Sequence, residues 1–258
     1  MTTTLPSFAH ALITRDERGV YTLQIHDAKS LNILSSAVIL SMTEAVRWVS
    51  VQNDARALIL RGTGDRAFVG GANIFEMAEL TSQEARDFIT RLRDLCDAVA
   101  KVPVPTIARL AGFCLGGGLE LAAACDIRLA SNDAVFGMPE VRVGIPSVIH
   151  AQLLPKQIGT GATNWLLLTG ENIDAEQALR WGFVQFLSDN NELDALIEKT
   201  VAPIVASGPK AVRSQKSLLR YWNEASLEAG LDRSVAAFGE AFTTDEPQHY
   251  MAPFLKRK

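Results

Sequence analysis

The residues whose types and spacing fit catalysis are two glutamates near glycine-rich or proline-containing turns. Glu120 follows the run Gly116-Gly117-Gly118, and Glu140 follows Pro139. Two carboxyl groups from separate elements can divide general acid and general base roles when their surroundings push their pKa values apart. Glutamates are also common on solvated surfaces. Spacing alone therefore leaves both a catalytic pair and two surface residues open.

The glycine-rich turns Gly70-Gly71-Ala72 and Gly116-Gly117-Gly118 indicate a second chemical feature. Glycines leave backbone N–H groups unshielded by a Cβ atom. Residues 119–124 are rich in strong helix formers, which puts the second turn at a helix N-terminus, where unpaired N–H groups gather. One N–H from each turn aimed at the same oxygen would form an oxyanion hole. A strand-to-helix turn without a ligand is the open alternative.

The sequence predicts that strands and helices alternate along most of the chain. These elements would position the two glycine-rich turns. Residues 20–26, 57–61 and 106–110 are apolar runs typical of strands. Thr81 and Glu84 form a capping-box pattern at the start of a helix that runs to about residue 101. Strand pairs recur before helices up to about residue 187, and helical patterns alone follow. The sequence therefore predicts an α/β fold with a helical C-terminal extension.

Composition excludes several classes of protein. The 258-residue chain is 48% hydrophobic and 21% charged, which is typical of a globular protein with a sizeable core. Its net charge of −4 argues against a nucleic-acid partner. No apolar run has membrane-spanning length, and residues 1–10 lack the pattern of a signal peptide. Cys96, Cys114 and Cys125 lack metal-like spacing, so we expect free, buried thiols in a reducing cytoplasmic compartment.

Four blocks of the sequence stand out, at residues 66–77, 112–127, 136–146 and 168–184. They resemble the crotonase superfamily, the family of enoyl-CoA hydratases and isomerases, and residues 254–258 resemble the family's C-terminal end. The blocks follow the family's order along nearly the whole chain. The resemblance implies a crotonase-like spiral of ββα units over residues 1–195 and a C-terminal helical trimerisation region over residues 196–258. It also implies a homotrimer or homohexamer.

The resemblance implies a reaction as well. Family members with hydratase activity carry glutamates at the positions of Glu120 and Glu140, and add water syn across a trans-2-enoyl-CoA to give a 3-hydroxyacyl-CoA. Ala72 and Gly117 match the residues whose N–H groups bind the thioester carbonyl. The expected partner is an acyl-CoA thioester, with no nucleic acid and no membrane. No metal or cofactor is expected, because coenzyme A is part of the substrate.

Other residues match family positions near the coenzyme A and acyl parts of the substrate. Lys29, ahead of Leu31, matches a basic residue that lies near the CoA phosphates in the family. The alternative interpretation is that Lys29 is a solvated loop residue without a ligand. Phe254 resembles a residue that approaches the adenine from a neighbouring subunit. The remaining predicted substrate contacts flank the catalytic turns and are Gly71, Ala72, Asn73, Ile74, Gly116, Gly117 and Pro139.

Two departures from the family pattern bear on the substrate. Asn73 stands where most hydratases have aspartate. A Gly-rich stretch that lines the acyl end of the site in relatives is replaced by Ile145-Pro146-Ser147-Val148-Ile149-His150. This replacement leaves acyl specificity open, and His150 is either near the substrate or a packing residue.

Three alternative functions remain. The chain could be an enoyl-CoA isomerase, an acyl-CoA hydrolase or decarboxylase, or a non-catalytic or RNA-binding protein of the same fold. Retention of both glutamates and both glycine-rich turns favours the hydratase over these alternatives.

Overall fold

The computed structural model of the protein describes residues 5–255. Its strands are β1 (Ala11–Arg15), β2 (Val20–Ile25), β3 (Ala57–Arg61), β4 (Ala67–Val69), β5 (Thr106–Leu110), β6 (Phe113–Leu115), β7 (Ile127–Ser131), β8 (Val135–Gly137), β9 (Asn172–Asp174) and β10 (Phe186–Ser188). Its helices are α1 (Ser36–Ser50), α2 (Ile74–Met77), α3 (Ser82–Lys101), α4 (Gly117–Ala123), α5 (Leu154–Ile158), α6 (Thr160–Thr169), α7 (Ala175–Arg180), α8 (Leu193–Ala206), α9 (Pro209–Glu224), α10 (Leu227–Ala241) and α11 (Glu246–Leu255). Short 3-10 helices cover Pro139–Val143, Ile149–Leu153 and Asn190–Glu192.

The strands form two sheets, and successive strands divide between them. The larger sheet has the order β1-β2-β3-β5-β7-β10, and the smaller has the order β4-β6-β8-β9. In each of the pairs β3/β4, β5/β6 and β7/β8, the first strand joins the larger sheet and the second joins the smaller one. Pairing along both series is parallel. The chain thus winds as repeated ββα units, which confirms the predicted spiral.

Helix α3 follows the sequence pattern closely and covers the site. The Thr81 hydroxyl accepts a hydrogen bond from the Glu84 N–H, and the Glu84 side chain accepts one from the Thr81 N–H, so the predicted capping box is present. The helix is amphipathic, with a polar outer face. Its buried side chains share one face and are Phe88, Leu92, Leu95, Cys96 and Val99. This face packs onto α1 and α4, and so fixes α3 beside the glycine-rich turn that begins α4.

The C-terminal helices attach to the core in two different ways. Helix α8 packs on the larger sheet through Leu193, Ile197 and Val201. Helix α9 is held by Lys216, whose Nζ lies 2.7 Å from Asp126 Oδ2 and 2.9 Å from the Val104 carbonyl oxygen. Helices α10 and α11 leave large apolar side chains exposed. The proposed division at residue 195 falls within α8 and stays a prediction.

The structure differs from the sequence analysis at several short strands. Strands β1, β6 and β9 were not expected, because segments of three to five residues can be told from turns only where the apolar run is as clear as in β3 and β5. The apolar character of residues 183–187 predicts a strand over that range, but β10 begins at Phe186. The N–H groups of Phe183 and Val184 donate instead to the Ala178 carbonyl oxygen at the end of α7.

Two other expectations concern the thiols and the membrane. The three cysteines are free and buried, as predicted. Among the described residues, we find no helix with both the length and the apolar character that crossing a membrane requires.

Candidate active site

A cavity of about 420 Å³ opens between α3, the two glycine-rich turns and the segment after β8. Both predicted glutamates, Glu120 and Glu140, line it. Its other walls are glycine backbone and mostly apolar side chains. From the N-terminal half of the chain they are Gly70, Gly71, Ala72, Ile74, Met77, Leu80, Ala85, Arg86, Phe88, Ile89 and Leu92. From the C-terminal half they are Leu115, Gly116, Gly117, Pro139, Val143, Ile145, Pro146 and Val148.

The turn between β6 and α4 presents the Gly117 N–H. Gly116 has φ +51° and ψ −123°, a conformation that glycine adopts without the steric cost of a Cβ. Its N–H donates to the Gly137 carbonyl oxygen at 2.9 Å, which ties the turn to β8. Gly117 is the first residue of α4, so its N–H has no partner within the helix. No acceptor for this N–H is present among residues 5–255.

The Gly70-Gly71-Ala72 turn presents the Ala72 N–H in a similar way. Leu34 N–H donates to the Gly71 carbonyl oxygen, and Asn73 N–H donates to the Leu34 carbonyl oxygen, each at 2.9 Å. In such a parallel bridge Ala72, which lies between the bonded Gly71 carbonyl and Asn73 N–H, directs its own N–H away from Leu34. Within the described part of the chain, the Ala72 N–H also has no acceptor. Two unpaired N–H donors therefore border the same cavity.

Glu120 is an unusual buried carboxyl group. It lies in the first turn of α4 and its exposed fraction is 3%. Its Oε1 accepts a hydrogen bond from the Ala151 N–H at 3.1 Å. Burial, with a smaller contribution from the nearby Glu140 charge, raises the pKa of Glu120 to about 8 although the Ala151 hydrogen bond opposes the rise. The protonated form of Glu120 is therefore favoured at neutral pH in the ligand-free protein.

Glu140 is half-buried and lines the same cavity. It follows Pro139 in a 3-10 helix, so the proline begins the turn that aims its side chain. Its Oε2 accepts a hydrogen bond from the Ser147 hydroxyl at 3.0 Å. Its Oε1 packs so close to Gly116 that a Cβ there would lie 2.7 Å away. Burial raises the pKa of Glu140, and the hydrogen bonds from its own backbone N–H and from Ser147 oppose the rise.

The structure brings most of the predicted site residues to one cavity. Those that line it are Gly71, Ala72, Ile74, Gly116, Gly117, Glu120, Pro139 and Glu140. Leu31 lies just behind the wall, where its carbonyl oxygen accepts from the Gly70 N–H at 2.8 Å. Asn73 caps α2 by accepting from the Glu76 N–H at 3.4 Å, so its amide has a structural task next to the cavity.

Two predicted substrate contacts lie away from the cavity wall. Lys29 is exposed, and its Nζ is 5.9 Å from the centre of the Phe75 ring. Phe254 lies on α11 with an exposed fraction of 72%. Neither residue lines the cavity of the single chain.

The segment Ser147–Ala151 supplies contacts that the sequence did not identify. Ser147 and Ala151 each donate a hydrogen bond to one of the two glutamates. His150 turns away from the cavity, and its Nε2 lies 3.3 Å from Asp97 Oδ1 on α3. A hydroxyl seven residues after a glutamate carries no recognisable motif. Only the departure from the family pattern had marked this segment.

Comparisons with known proteins identify the family of this chain. The sequence matches the family described as Enoyl-CoA hydratase/isomerase over residues 15–258. A short-chain-enoyl-CoA hydratase from Clostridium acetobutylicum is 34% identical over 248 residues, covering 96% of this chain and 95% of the relative. A crotonyl-CoA hydratase from Syntrophomonas wolfei has the same identity and coverage.

A solved structure resembles the fold over almost its full length. An enoyl-CoA hydratase from Mycobacterium smegmatis superimposes with a TM-score of 0.93 at 29% sequence identity, covering 96% of this chain and 97% of that one. The α/β architecture with C-terminal helices is therefore that of the crotonase fold. The chain belongs to the enoyl-CoA hydratase/isomerase family of the crotonase superfamily.

Proposed function

We propose that the protein is an enoyl-CoA hydratase that adds water reversibly to a trans-2-enoyl-CoA and forms a 3-hydroxyacyl-CoA. The observation that carries this proposal is the meeting of a buried glutamate, a half-buried glutamate and two unpaired N–H donors in one largely apolar cavity. The hydratase relatives support the same reaction. No group beyond these side chains, the backbone donors and the substrate's own thioester is required.

The two N–H groups have a specific task in this reaction. Adding a nucleophile at C3 of an enoyl thioester pushes electrons onto the thioester oxygen, which becomes an enolate oxygen. The N–H groups of Ala72 and Gly117 would donate to that oxygen as its charge develops. Preorganised donors of this kind are effective because they need no reorganisation during the reaction, and each contributes about 3 kcal/mol.

The two carboxyl groups divide the proton transfers. Water attacks C3 while an ionised carboxylate takes one of its protons, and a protonated carboxyl group delivers a proton to C2 on the same face. Burial leaves the proton on Glu120 in the ligand-free protein. Burial also raises the pKa of Glu140, but the Ser147 hydroxyl donates to this carboxylate and favours its ionised form, so we take Glu140 as the ionised partner. We therefore assign Glu140 as the base towards water and Glu120 as the acid towards C2.

The cavity walls favour a hydrocarbon acyl group. Ile74, Ile89 and Leu92 lie on one part of the wall, and Val143, Ile145 and Val148 lie on the other. Burying apolar acyl carbons there contributes about 0.8 kcal/mol per methylene group. The coenzyme A portion of the bound substrate would extend out of the cavity past the Gly70-Gly71-Ala72 turn. Lys29 is exposed near this turn, and its ammonium group would be available for the coenzyme A phosphates.

The remaining features of the proposal concern the assembly and the compartment. Exposed apolar side chains on α10 and α11, including Val235, Phe238 and Phe254, fit an interface between copies in a homotrimer or homohexamer. Phe254 would then reach the adenine of a neighbouring subunit's substrate. Three buried free thiols fit a reducing cytoplasmic compartment.

The test is a comparison of two substrate classes. The purified protein is incubated with crotonyl-CoA, and loss of the enoyl absorbance is followed. A parallel reaction with a 3-enoyl-CoA reports isomerase activity, and release of free thiol reports hydrolase activity. Hydration of crotonyl-CoA supports the proposal. Activity on the 3-enoyl-CoA or release of thiol, without hydration, would overturn it.

A further inference from the structure

The segment Ser147–Ala151 touches both catalytic candidates, although it was expected to matter only for the acyl group. At its start the Ser147 hydroxyl donates to Glu140 Oε2 at 3.0 Å. At its end the Ala151 N–H donates to Glu120 Oε1 at 3.1 Å. Between them, Val148 lines the cavity wall. One short stretch of chain thus joins the two carboxyl groups that the proposed reaction uses.

The segment is fixed at both its backbone and its side chains. Ile149 has φ +38°, a left-handed conformation that a β-branched residue rarely adopts. His150 is held on the far side by Asp97 of α3, which also pairs with Lys101. Such a backbone persists only where its surroundings over-determine it. The Ser147 hydroxyl is therefore presented to Glu140 by a constrained turn.

Glu140 is held between this hydroxyl and the catalytic turn. Its other oxygen, Oε1, lies against Gly116, the residue that positions the Gly117 N–H. The charged groups that share the cavity are Glu120 on α4 and Arg86 on α3. Arg142, on the same 3-10 helix as Glu140, forms an ion pair with Glu171.

We propose that Ser147 is a positioning residue for the hydration reaction, whose hydroxyl holds the Glu140 carboxylate against Gly116 in its ionised form. This proposal rests on the proposed function, because it assigns Glu140 the role of base. A hydroxyl donor stabilises a carboxylate more than the corresponding neutral acid. Ser147 would thus keep the base ionised beside a second carboxyl group, whose burial favours the protonated form.

The test uses three variants at two neighbouring positions. Ser147→Ala removes the hydroxyl, and Ser147→Thr keeps it. Val148→Ala is the matched control, because Val148 lines the same cavity without a hydrogen bond to either carboxyl group. The first measurement is a titration of glutamate side chains by carbon NMR of the ¹³C-carboxyl-labelled, ligand-free protein. The Glu140→Gln variant identifies the Glu140 resonance.

We expect the pKa of Glu140 to rise by about one unit in Ser147→Ala. A hydrogen bond to a charged group stabilises that charged form by an amount that corresponds to a shift of about one pKa unit. Ser147→Thr and Val148→Ala should leave this pKa near that of the natural protein. The acid limb of the kcat/KM profile with crotonyl-CoA should move up by the same amount in Ser147→Ala alone. Val148→Ala should change KM instead.

Two results would overturn the proposal. One is a Glu140 titration in Ser147→Ala that coincides with that of the natural protein. The other is an equal shift of the Glu140 pKa in Val148→Ala, which would mean that loosening the segment Ser147–Ala151 changes this pKa without loss of the hydroxyl. The NMR titration needs no turnover, so it tests the Ser147 hydrogen bond even if the protein fails to hydrate any enoyl-CoA.

Discussion

Replacing Gly117 by proline tests the oxyanion hole with little change to the fold. Gly117 is the first residue of α4, a position that proline favours because its missing N–H has no partner within the helix. The preceding residue, Gly116, has no Cβ to meet the proline ring. The variant therefore loses the donor and places a methylene group where the thioester oxygen would receive the hydrogen bond.

Gly117→Ala is the matched control for this substitution. Either replacement adds a Cβ, which would lie 2.8 Å from Leu92 Cδ2, the flexible end of a side chain. Both variants carry this crowding, and only the proline variant lacks the N–H. Loss of one donor costs about 3 kcal/mol, so kcat should fall about 10²- to 10³-fold between the two variants.

The assay is hydration of crotonyl-CoA, with thermal melts of both variants to verify that α4 remains folded. Binding of free coenzyme A should be similar in the two variants, because this ligand has no thioester carbonyl. A proline variant that retains kcat within about threefold of the alanine variant would refute the oxyanion role of Gly117.

Three further predictions concern stability. Burial raises the pKa of Glu120 to about 8, so the folded protein keeps a proton that the unfolded chain loses near pH 4.5. Stability should therefore fall as pH rises from about 4.5 to 8, and Glu120→Gln should remove up to about 5 kcal/mol of this fall. Parallel melting profiles of the two proteins between pH 5 and 9 would contradict the assignment. Gly118→Ala would place a Cβ 2.5 Å from Val69 Cβ, so we expect the free energy of unfolding in urea to fall by about 1–3 kcal/mol. An unchanged unfolding midpoint would show that α4 can move away from β4. Lys216→Met removes the ion pair between the buried Lys216 ammonium and the partly exposed Asp126, and it should cost about 2–3 kcal/mol in the same experiment, less than for a fully buried pair. An equally stable variant would mean that apolar packing alone holds α9.

Local sequence patterns predicted much of the fold because their physical causes are local. The Thr81 and Glu84 capping box and the apolar face of α3 each depend on residues three or four positions apart. The Gly116 turn was predicted for the same reason, since helix formers follow it directly. Short strands such as β6 and β9 depend instead on partners more than 15 residues away.

The candidate site was only partly predictable from the sequence. The family resemblance brought Ala72, Gly117, Glu120 and Glu140 together, and the structure puts all four on one cavity. The protonation states of Glu120 and Glu140 depend on burial by α3 and on hydrogen-bond donors from the segment Ser147–Ala151. Burial and distant donors leave no periodic signal in a single sequence. Neither the assignment of acid and base nor the contact made by Ser147 could therefore be derived without coordinates.

The measurement that tests the central claim most directly is the rate of crotonyl-CoA hydration by the natural protein, Glu120→Gln and Glu140→Gln. Each substitution keeps the size of the side chain and removes its ability to transfer a proton. We expect hydration by the natural protein and a fall of about 10²- to 10⁴-fold in kcat for each variant, with folding retained. Turnover that is unchanged by either substitution would contradict the account of two cooperating glutamates.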